Sequence, residues 1–215
     1  MYFRVVGLNQ KHMNRLKTFV FLAIIMSCVT EPVIDYQTAI KNCPIDTIRM
    51  IGAQDTMEYY TLDINGVIGA QLPEFVATTM DGKTIDKAYF DNKVSVINFW
   101  FEGCMPCEAE MPGFNKLVEI YASEPVTFLA IGRNSPTDIK DFVARKPFNF
   151  DHIAYGEPII QDTFHARWGY PCTLVADKNM KIVYASHGGA DDSTAITKIQ
   201  AALIPVIEDA LANNK

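Results

Sequence analysis

The stretch from Val94 to Leu117 constrains the fold more than any other part of the chain. It opens with Val94–Phe101, eight residues rich in β-branched and aromatic types. Such a continuous apolar run suits a strand that is buried on both faces. Apolar residues then recur at intervals of three and four, which is typical of a helix with one apolar face; they are Met111, Phe114, Leu117, Val118 and Tyr121. The stretch therefore predicts a buried strand that leads through a short turn into an amphipathic helix.

Two cysteines, Cys104 and Cys107, lie at the junction of this strand and helix, in the sequence Cys-Met-Pro-Cys. The unpaired N–H groups and the dipole of a helix N-terminus favour an anion, so a thiolate at Cys104 should be stabilised there. A thiol whose pKa falls from about 8.5 towards neutrality is a better nucleophile at working pH. Cys107 follows three residues later on the same face, close enough to close a disulfide. We interpret Cys104 as the attacking thiol and Cys107 as the resolving thiol.

Three segments of the chain carry a resemblance to a known family. They are NFWFEGCMPCEAEMP around the two cysteines, LPEFVATTMDGKTI before them and WGYPCTLV after them. Together they resemble the thioredoxin-like oxidoreductases of the TlpA/ResA type, over a match from about Leu72 to about Leu211. The resemblance implies an α/β thioredoxin-like fold with a central mixed β-sheet flanked by helices. It also implies disulfide exchange with partner proteins outside the cytoplasm, by an enzyme tethered to a bacterial membrane.

The same resemblance assigns further site residues. Glu110 matches the active-site glutamate of the family and would pass protons to or from Cys107. Pro171 matches the cis-proline that faces the two cysteines and exposes backbone groups to a substrate strand. Alternatively, Glu110 is a first-turn acid that complements the helix dipole, and Pro171 is an ordinary loop proline. Gly103 and Cys172 depart from the family, which commonly has Trp and Thr at these positions.

The first 28 residues predict a targeting segment and not part of the fold. The basic residues Lys11, Arg15 and Lys17 precede the apolar run Phe19–Met26, whose length suits a signal-peptide core better than a membrane span. Ser27 and Cys28 then close the run in a pattern that resembles a bacterial lipobox. Lipidation of Cys28 would anchor the protein to a membrane. A plain secretory signal with an incidental cysteine, or an uncleaved anchor, is the alternative.

The rest of the chain gives a coarser prediction. Residues 29–71 predict a linker followed by one or two strands, and residues 72–215 the thioredoxin-like domain. Turn, strand and capping signals predict the elements of this domain. In order, they are a hairpin of Phe75–Thr79 with Lys83–Ile85, a strand over Val126–Ile131, a helix that opens at Ser135, a short helix over Asp162–Trp168, a hairpin of Thr173–Ala176 with Lys181–Ala185, and a helix from Ser193 to about Asn213 that Pro205 bends or divides.

Several other functions are alternatives to disulfide exchange. A net charge of −6 argues against nucleic-acid binding. A structural zinc site needs two more ligands, and the chain has no second CxxC at a suitable spacing. A thiol peroxidase remains an alternative, although the sequence before Cys104 lacks the threonine of that active site. A copper-binding chaperone of the same fold is another, with His165 or His187 as the distal ligand, and a non-catalytic surface lipoprotein is a third.

The prediction is therefore a lipid-anchored, periplasm-facing thiol-disulfide oxidoreductase, acting as a reductant by resemblance. That role requires an upstream thiol electron donor in the membrane and protein substrates with disulfides or thiols, for which cytochrome c maturation supplies candidates. No cofactor beyond the two thiols is implied. Cys172 is interpreted as a small buried residue, with a third redox cysteine or a partner for Cys43 left open.

Overall fold

The computed structural model describes residues 32–51 and 56–213. Nine strands are present in this part of the chain: Ile45–Ile51 (β1), Thr56–Leu62 (β2), Ala77–Thr78 (β3), Thr84–Ile85 (β4), Val94–Trp100 (β5), Val126–Gly132 (β6), Asp151–Ile153 (β7), Cys172–Ala176 (β8) and Ile182–His187 (β9). The same part has five α-helices: Tyr36–Asn42 (α1), Lys87–Phe90 (α2), Met105–Ile120 (α3), Pro136–Arg145 (α4) and Thr194–Ala212 (α5). The predicted signal segment, with Cys28, lies outside the described residues.

Five of the strands form one mixed sheet in the order β7-β6-β5-β8-β9. The pairs β5–β6 and β6–β7 are parallel, whereas β5–β8 and β8–β9 are antiparallel. β5 lies at the centre, and all seven of its residues are buried. The predicted fold class, a thioredoxin-like α/β domain with a central mixed sheet, is confirmed.

Side chains of β5 contribute to a core on each side of the sheet, because alternate residues of a strand point to opposite faces. Val96 and Trp100 belong to a cluster with α3 and α5 that includes Phe114 and Leu203. Ile97 and Phe99 belong to the second cluster, which is closed mainly by the segment before β3 and by residues 159–168. Each face of the sheet is therefore covered by a different part of the chain.

The segment before residue 72 contains more structure than the sequence predicts. β1 and β2 form a separate antiparallel hairpin, consistent with the one or two strands expected there. The helix α1 was not predicted; Asp35 caps it by accepting a hydrogen bond from the N–H of Thr38 (2.9 Å). A 3₁₀ turn over Ile64–Val67 follows β2.

One further prediction about the helices needs correction. The short helix expected over Asp162–Trp168 lies earlier, as a π-helical turn over Ile159–Thr163. The chain leaves it through His165, whose φ of 47° no helix accommodates. α5 runs unbroken through Pro205, so of the two predicted effects the proline does not divide the helix, and a bend stays a prediction. Within the described residues, no helix has both the length and the apolar character needed to cross a membrane.

Candidate active site

The turn between β5 and α3 holds the two cysteines. Gly103 takes a φ of 92°, a conformation that glycine adopts without steric cost, and the chain then enters the helix at Met105. Cys104 is the N-cap residue of α3, and its Sγ accepts a hydrogen bond from the N–H of Cys107 at 3.3 Å. The two residues are joined by a disulfide, with their Cα atoms 5.3 Å apart. The structure thus places the pair in the first helical turn, as the sequence predicts.

The two cysteines are shielded from solvent, whereas a residue between them is exposed. Cys104 and Cys107 are 5% and 3% exposed, whereas Met105 between them is 68% exposed. The helix N-terminus next to Cys104 leaves backbone N–H groups without intrahelical partners. The unpaired N–H groups suit a Cys104 sulfur that is stabilised as a thiolate, and the exposed Met105 lies beside it at the surface.

Pro171 lies at the same edge of the sheet as the cysteines. The pairing of Cys172 with Phe99 in neighbouring strands puts Tyr170 and Pro171 beside the end of β5, where the cysteine turn starts. The Tyr170–Pro171 peptide bond is cis. The carbonyl oxygen of Pro171 accepts a hydrogen bond from Gly188 N–H at 2.8 Å, which ties this loop to the end of β9.

The carboxyl group of Glu110 is buried one turn after Cys107. Glu110 is 7% exposed, and its Oε2 atom has no hydrogen-bond partner in the described part of the chain. Burial raises the pKa of this carboxyl to about 7, because desolvation disfavours the charged form. A group with such a pKa can both accept and donate a proton near neutral pH.

Gly189 lies beside the carboxyl of Glu110, and the sequence does not identify it as a site residue. A Cβ atom at Gly189 would lie 2.5 Å from Glu110 Oε1 and 3.3 Å from Pro171 Cγ. The carboxyl of Glu110 therefore occupies space that only a glycine leaves open beside the cis-proline. No local signal marks this position, because the contact joins residues from opposite ends of the domain.

Charged residues of α4 also reach the cysteine turn. Glu108 accepts a hydrogen bond from Gly103 N–H at 3.0 Å and pairs with Lys146 at 2.6 Å. Arg145 pairs with Glu102 at 3.0 Å. The last turn of α4 and the residue after it thus provide cations for both acidic residues that flank the cysteines.

In the part of the chain that the structure describes, the two cysteines outside the disulfide, Cys43 and Cys172, are free and buried. Cys172 is the first residue of β8 and Cys43 follows α1, and burial raises the pKa of both thiols. This environment suits the interpretation of Cys172 as a small buried residue, and the structure does not pair it with Cys43.

His152 packs against the rings of Trp100 and Phe148. His152 is half-buried, the desolvation lowers its pKa, and its Nε2 lies 2.8 Å from the carbonyl oxygen of Phe148. Throughout residues 32–51 and 56–213, no three or more His, Cys, Asp or Glu side chains are grouped so that they could hold a metal ion.

Comparison with known proteins places this site in a family. Residues 68–185, more than half of the chain, match the model of the AhpC/TSA family. The thiol-disulfide oxidoreductase ResA of Bacillus thuringiensis subsp. konkukian is 33% identical over 133 residues, which are 60% of this chain and 75% of that protein. ResA of Geobacillus thermodenitrificans is 30% identical over 131 residues, covering 58% and 71% of the two chains.

A solved structure shows the same fold. The thiol:disulfide interchange protein of Chlorobium tepidum superposes with a TM-score of 0.55 at 20% identity, over 66% of this chain and 96% of that one. With the fold, the disulfide at the helix N-terminus and the relatives in agreement, the chain belongs to the AhpC/TSA family and is a thioredoxin-like thiol-disulfide oxidoreductase.

Proposed function

We propose that this protein reduces disulfides of partner proteins outside the cytoplasm. The observation that carries the proposal is the Cys104–Cys107 pair, closed into a disulfide at a helix N-terminus and followed by the buried carboxyl of Glu110. The structure holds the oxidised form, which in this direction is the product of the reaction and must be reduced again before the next cycle.

The chemistry proceeds in two exchanges. The Cys104 thiolate attacks one sulfur of a client disulfide; the client S–S bond breaks, a mixed disulfide forms, and the first client sulfur leaves as a thiolate that takes up a proton. The Cys107 thiolate then attacks Cys104 Sγ and releases the second client sulfur. The second client sulfur also leaves as a thiolate and is protonated. Two electrons thus pass from the protein to the client, the proton lost by Cys107 and one from solvent balance the two client thiols, and the Cys104–Cys107 disulfide is left.

Glu110 suits the proton transfer in the second exchange. Cys107 must lose its proton before it attacks, and Glu110 lies one helical turn away on the same face of α3. With a pKa of about 7, the ionised carboxyl can accept that proton in part of the population at neutral pH. The two cysteines are thus the reacting groups, and Glu110 serves as the general base for Cys107.

The location and the electron donor belong to the proposal as well. The apolar run before Cys28 and the resemblance to membrane-tethered oxidoreductases support a lipid anchor in the cell envelope, facing the periplasm. A reductant in that compartment needs a thiol donor embedded in the membrane. The family resemblance supports clients among the apocytochromes c.

The decisive experiment is the reduction potential of the Cys104–Cys107 pair. The protein without residues 1–28, with Cys43→Ala and Cys172→Ala so that one couple is counted, is equilibrated with glutathione buffers and its free thiols are trapped. A potential near that of thioredoxin, about −270 mV, supports the reductant, whereas one near about −120 mV overturns the direction. Failure to form a reversible disulfide overturns the proposal altogether.

Two further measurements separate the alternatives. Peroxide consumption that Cys104→Ser abolishes would indicate a thiol peroxidase and contradict the proposal. Expression of the full chain and its Cys28→Ala variant tests the anchor: the parent is expected in the membrane fraction and the variant in the soluble fraction. Equal membrane association of both would overturn lipidation at Cys28.

A further inference from the structure

Arg133 occupies a fixed position beside the cysteine turn. It follows directly after β6, and its N–H donates to the carbonyl oxygen of Trp100 at 3.2 Å, next to Phe101. Its guanidinium lies 5.6 Å from the ring centroid of Phe101 and 5.6 Å from that of Tyr170. The two rings contact each other edge to face, with their centroids 5.2 Å apart. Two cation–π contacts therefore hold the guanidinium in place.

Of the three guanidinium nitrogens of Arg133, only Nε pairs with a described side chain. Glu157 forms an ion pair with the Nε atom, and Arg133 and Glu157 are about half exposed, at 44% and 41%. No described residue accepts a hydrogen bond from either Nη atom, although an arginine side chain has five N–H donors. Phe101, Asn134 and Glu157 line a surface pocket together with Arg133. The outer edge of the guanidinium is thus available to a ligand.

This pocket adjoins the segment that leads to Cys104 and the segment that leads to Pro171, between which the proposed function places the client. Phe101 precedes Cys104 by three residues, and Tyr170 precedes Pro171 directly. Asn134 fixes the approach to the cysteines, because its Oδ1 accepts the N–H of Glu102 at 2.8 Å. A client segment whose sulfur reaches Cys104 passes within a few residues of the pocket.

We propose that Arg133 is a specificity-determining residue that binds a carboxylate of the client chain, close in sequence to the client's reactive cysteine. The inference rests on the proposed function. Two Nη atoms on one rigid plane match the two oxygens of a carboxylate, so bidentate binding is available. The aromatic contacts and Glu157 fix the side chain beforehand, which lowers the entropy lost on binding.

The test uses symmetric disulfide dimers of a short peptide with one cysteine and blocked termini. At each of the two positions before and the two positions after the cysteine, a peptide with Glu is compared with its Gln counterpart. The rate constant for reduction by the reduced protein is measured for each pair. The same pairs are reduced by dithiothreitol, whose attacking thiolate has no cation beside it, and the Glu/Gln rate ratio of the protein is divided by that reference ratio.

At one or more positions, we expect a corrected Glu/Gln rate ratio of about three to five. This is the fold-change that a half-exposed ion pair produces. Arg133→Met should bring the ratio to about one. Arg145→Met is the matched control, because it removes a cation that pairs with Glu102 near the same turn; it should keep the preference. The wild-type ratios test the inference even where a variant folds poorly.

Results that contradict the role of Arg133 differ from the result that contradicts the proposed function. A wild-type ratio of about one at all four positions overturns the recognition by Arg133, as does a preference that survives Arg133→Met. Equal loss of preference in Arg145→Met would indicate general attraction by net charge and would also overturn it. Reduction of none of the peptides would overturn the proposed function, and this inference with it.

Discussion

Glu110 shows how one buried carboxyl makes stability depend on pH. Its ordinary pKa is 4.5, and burial in the folded protein raises it to about 7. The folded state therefore binds more protons than the unfolded state between these two pH values. It follows that the free energy of unfolding falls as the pH rises through this window, and that the stabilisation is fully present only below about 4.5.

Glu110→Gln should remove this dependence. Between pH 4.5 and pH 8 the oxidised wild type is expected to lose about 3 kcal/mol more stability than the variant. Urea unfolding of both proteins at intervals of one pH unit measures the difference, in which the contributions of all other groups cancel. Parallel pH profiles would mean that the carboxyl is not held in its protonated form.

Gly189 is expected to set the position of that carboxyl. The backbone of Gly189 does not need a positive φ, so the effect of an alanine comes from space: its Cβ would lie 2.5 Å from Glu110 Oε1. Gly189→Ala should cost about 1–3 kcal/mol. Much of that cost should disappear in a Glu110→Ala background, as a double-mutant cycle by denaturant unfolding would show.

Gly82→Ala provides the control for this cycle. Gly82 has a φ of 85° and no neighbour within 4 Å of an added Cβ, so its alanine variant is strained without touching Glu110. Its effect should add to that of Glu110→Ala. A cycle in which Gly189 and Gly82 behave alike would contradict the role given to Gly189.

At the scale of elements, α3 is held against α5 by a close approach at Gly113. An added Cβ at Gly113 would collide with the side chain of Ile199 and lie 2.9 Å from the carbonyl oxygen of Ile196. Alanine in place of glycine inside an isolated helix stabilises by about 1 kcal/mol. Here the collision with a neighbouring backbone outweighs that gain, because α5 must move as a whole to relieve it.

Gly113→Ala is therefore expected to destabilise the protein by about 1–3 kcal/mol, against the trend of helix propensity. Thermal and urea unfolding measure this change. Adding Ile199→Ala should recover only part of the loss, since the Ile196 carbonyl remains in the way. An unchanged or higher stability of Gly113→Ala would show that the two helices separate easily.

The elements differ in how far local sequence determines them. β5 and α3 could be predicted because burial on both faces and an apolar stripe leave direct patterns in the sequence. α4 could be predicted from its cap, in which Asp138 N–H donates to Ser135 Oγ at 3.2 Å and the Ser135 N–H donates back to the Asp138 carboxylate. These signals lie within a few residues of the element that they specify.

Other features depend on contacts between distant residues and leave no such pattern. α1 has seven residues, too few for a clear periodicity, and Tyr36 in it is buried through contact with Phe164. The sequence predicts the turn Ile159–Thr163 at the wrong position, because packing against distant residues and not a local pattern determines this segment. Gly189 and Arg133 gain their importance only where the folded chain brings them to the cysteine turn.

The whole molecule depends on the segment before residue 72 to cover one face of the sheet. Tyr36 is 2% exposed, and its hydroxyl donates to the carbonyl oxygen of Phe164 at 2.9 Å. Ala39, Ile64 and Val67 are buried in the same cluster as Ile97 and Phe99 of β5. The family match begins at residue 68, so most of this cover comes from a part of the chain that the family model does not include.

A protein that begins at residue 72 should therefore be much less stable than one that begins at residue 33. Loss of several buried apolar side chains exposes one face of the sheet, at about 1.5–3 kcal/mol for each large side chain, against a total stability of about 5–15 kcal/mol. Urea unfolding should show a lower midpoint or no cooperative transition for the shorter protein.

In the longer protein, Tyr36→Ala should reproduce a large share of the loss of stability, and Tyr36→Phe should lose only the contribution of one hydrogen bond, about 1 kcal/mol. Equal stability of the two proteins would instead support a domain that begins at residue 72, with the preceding segment as an appendage.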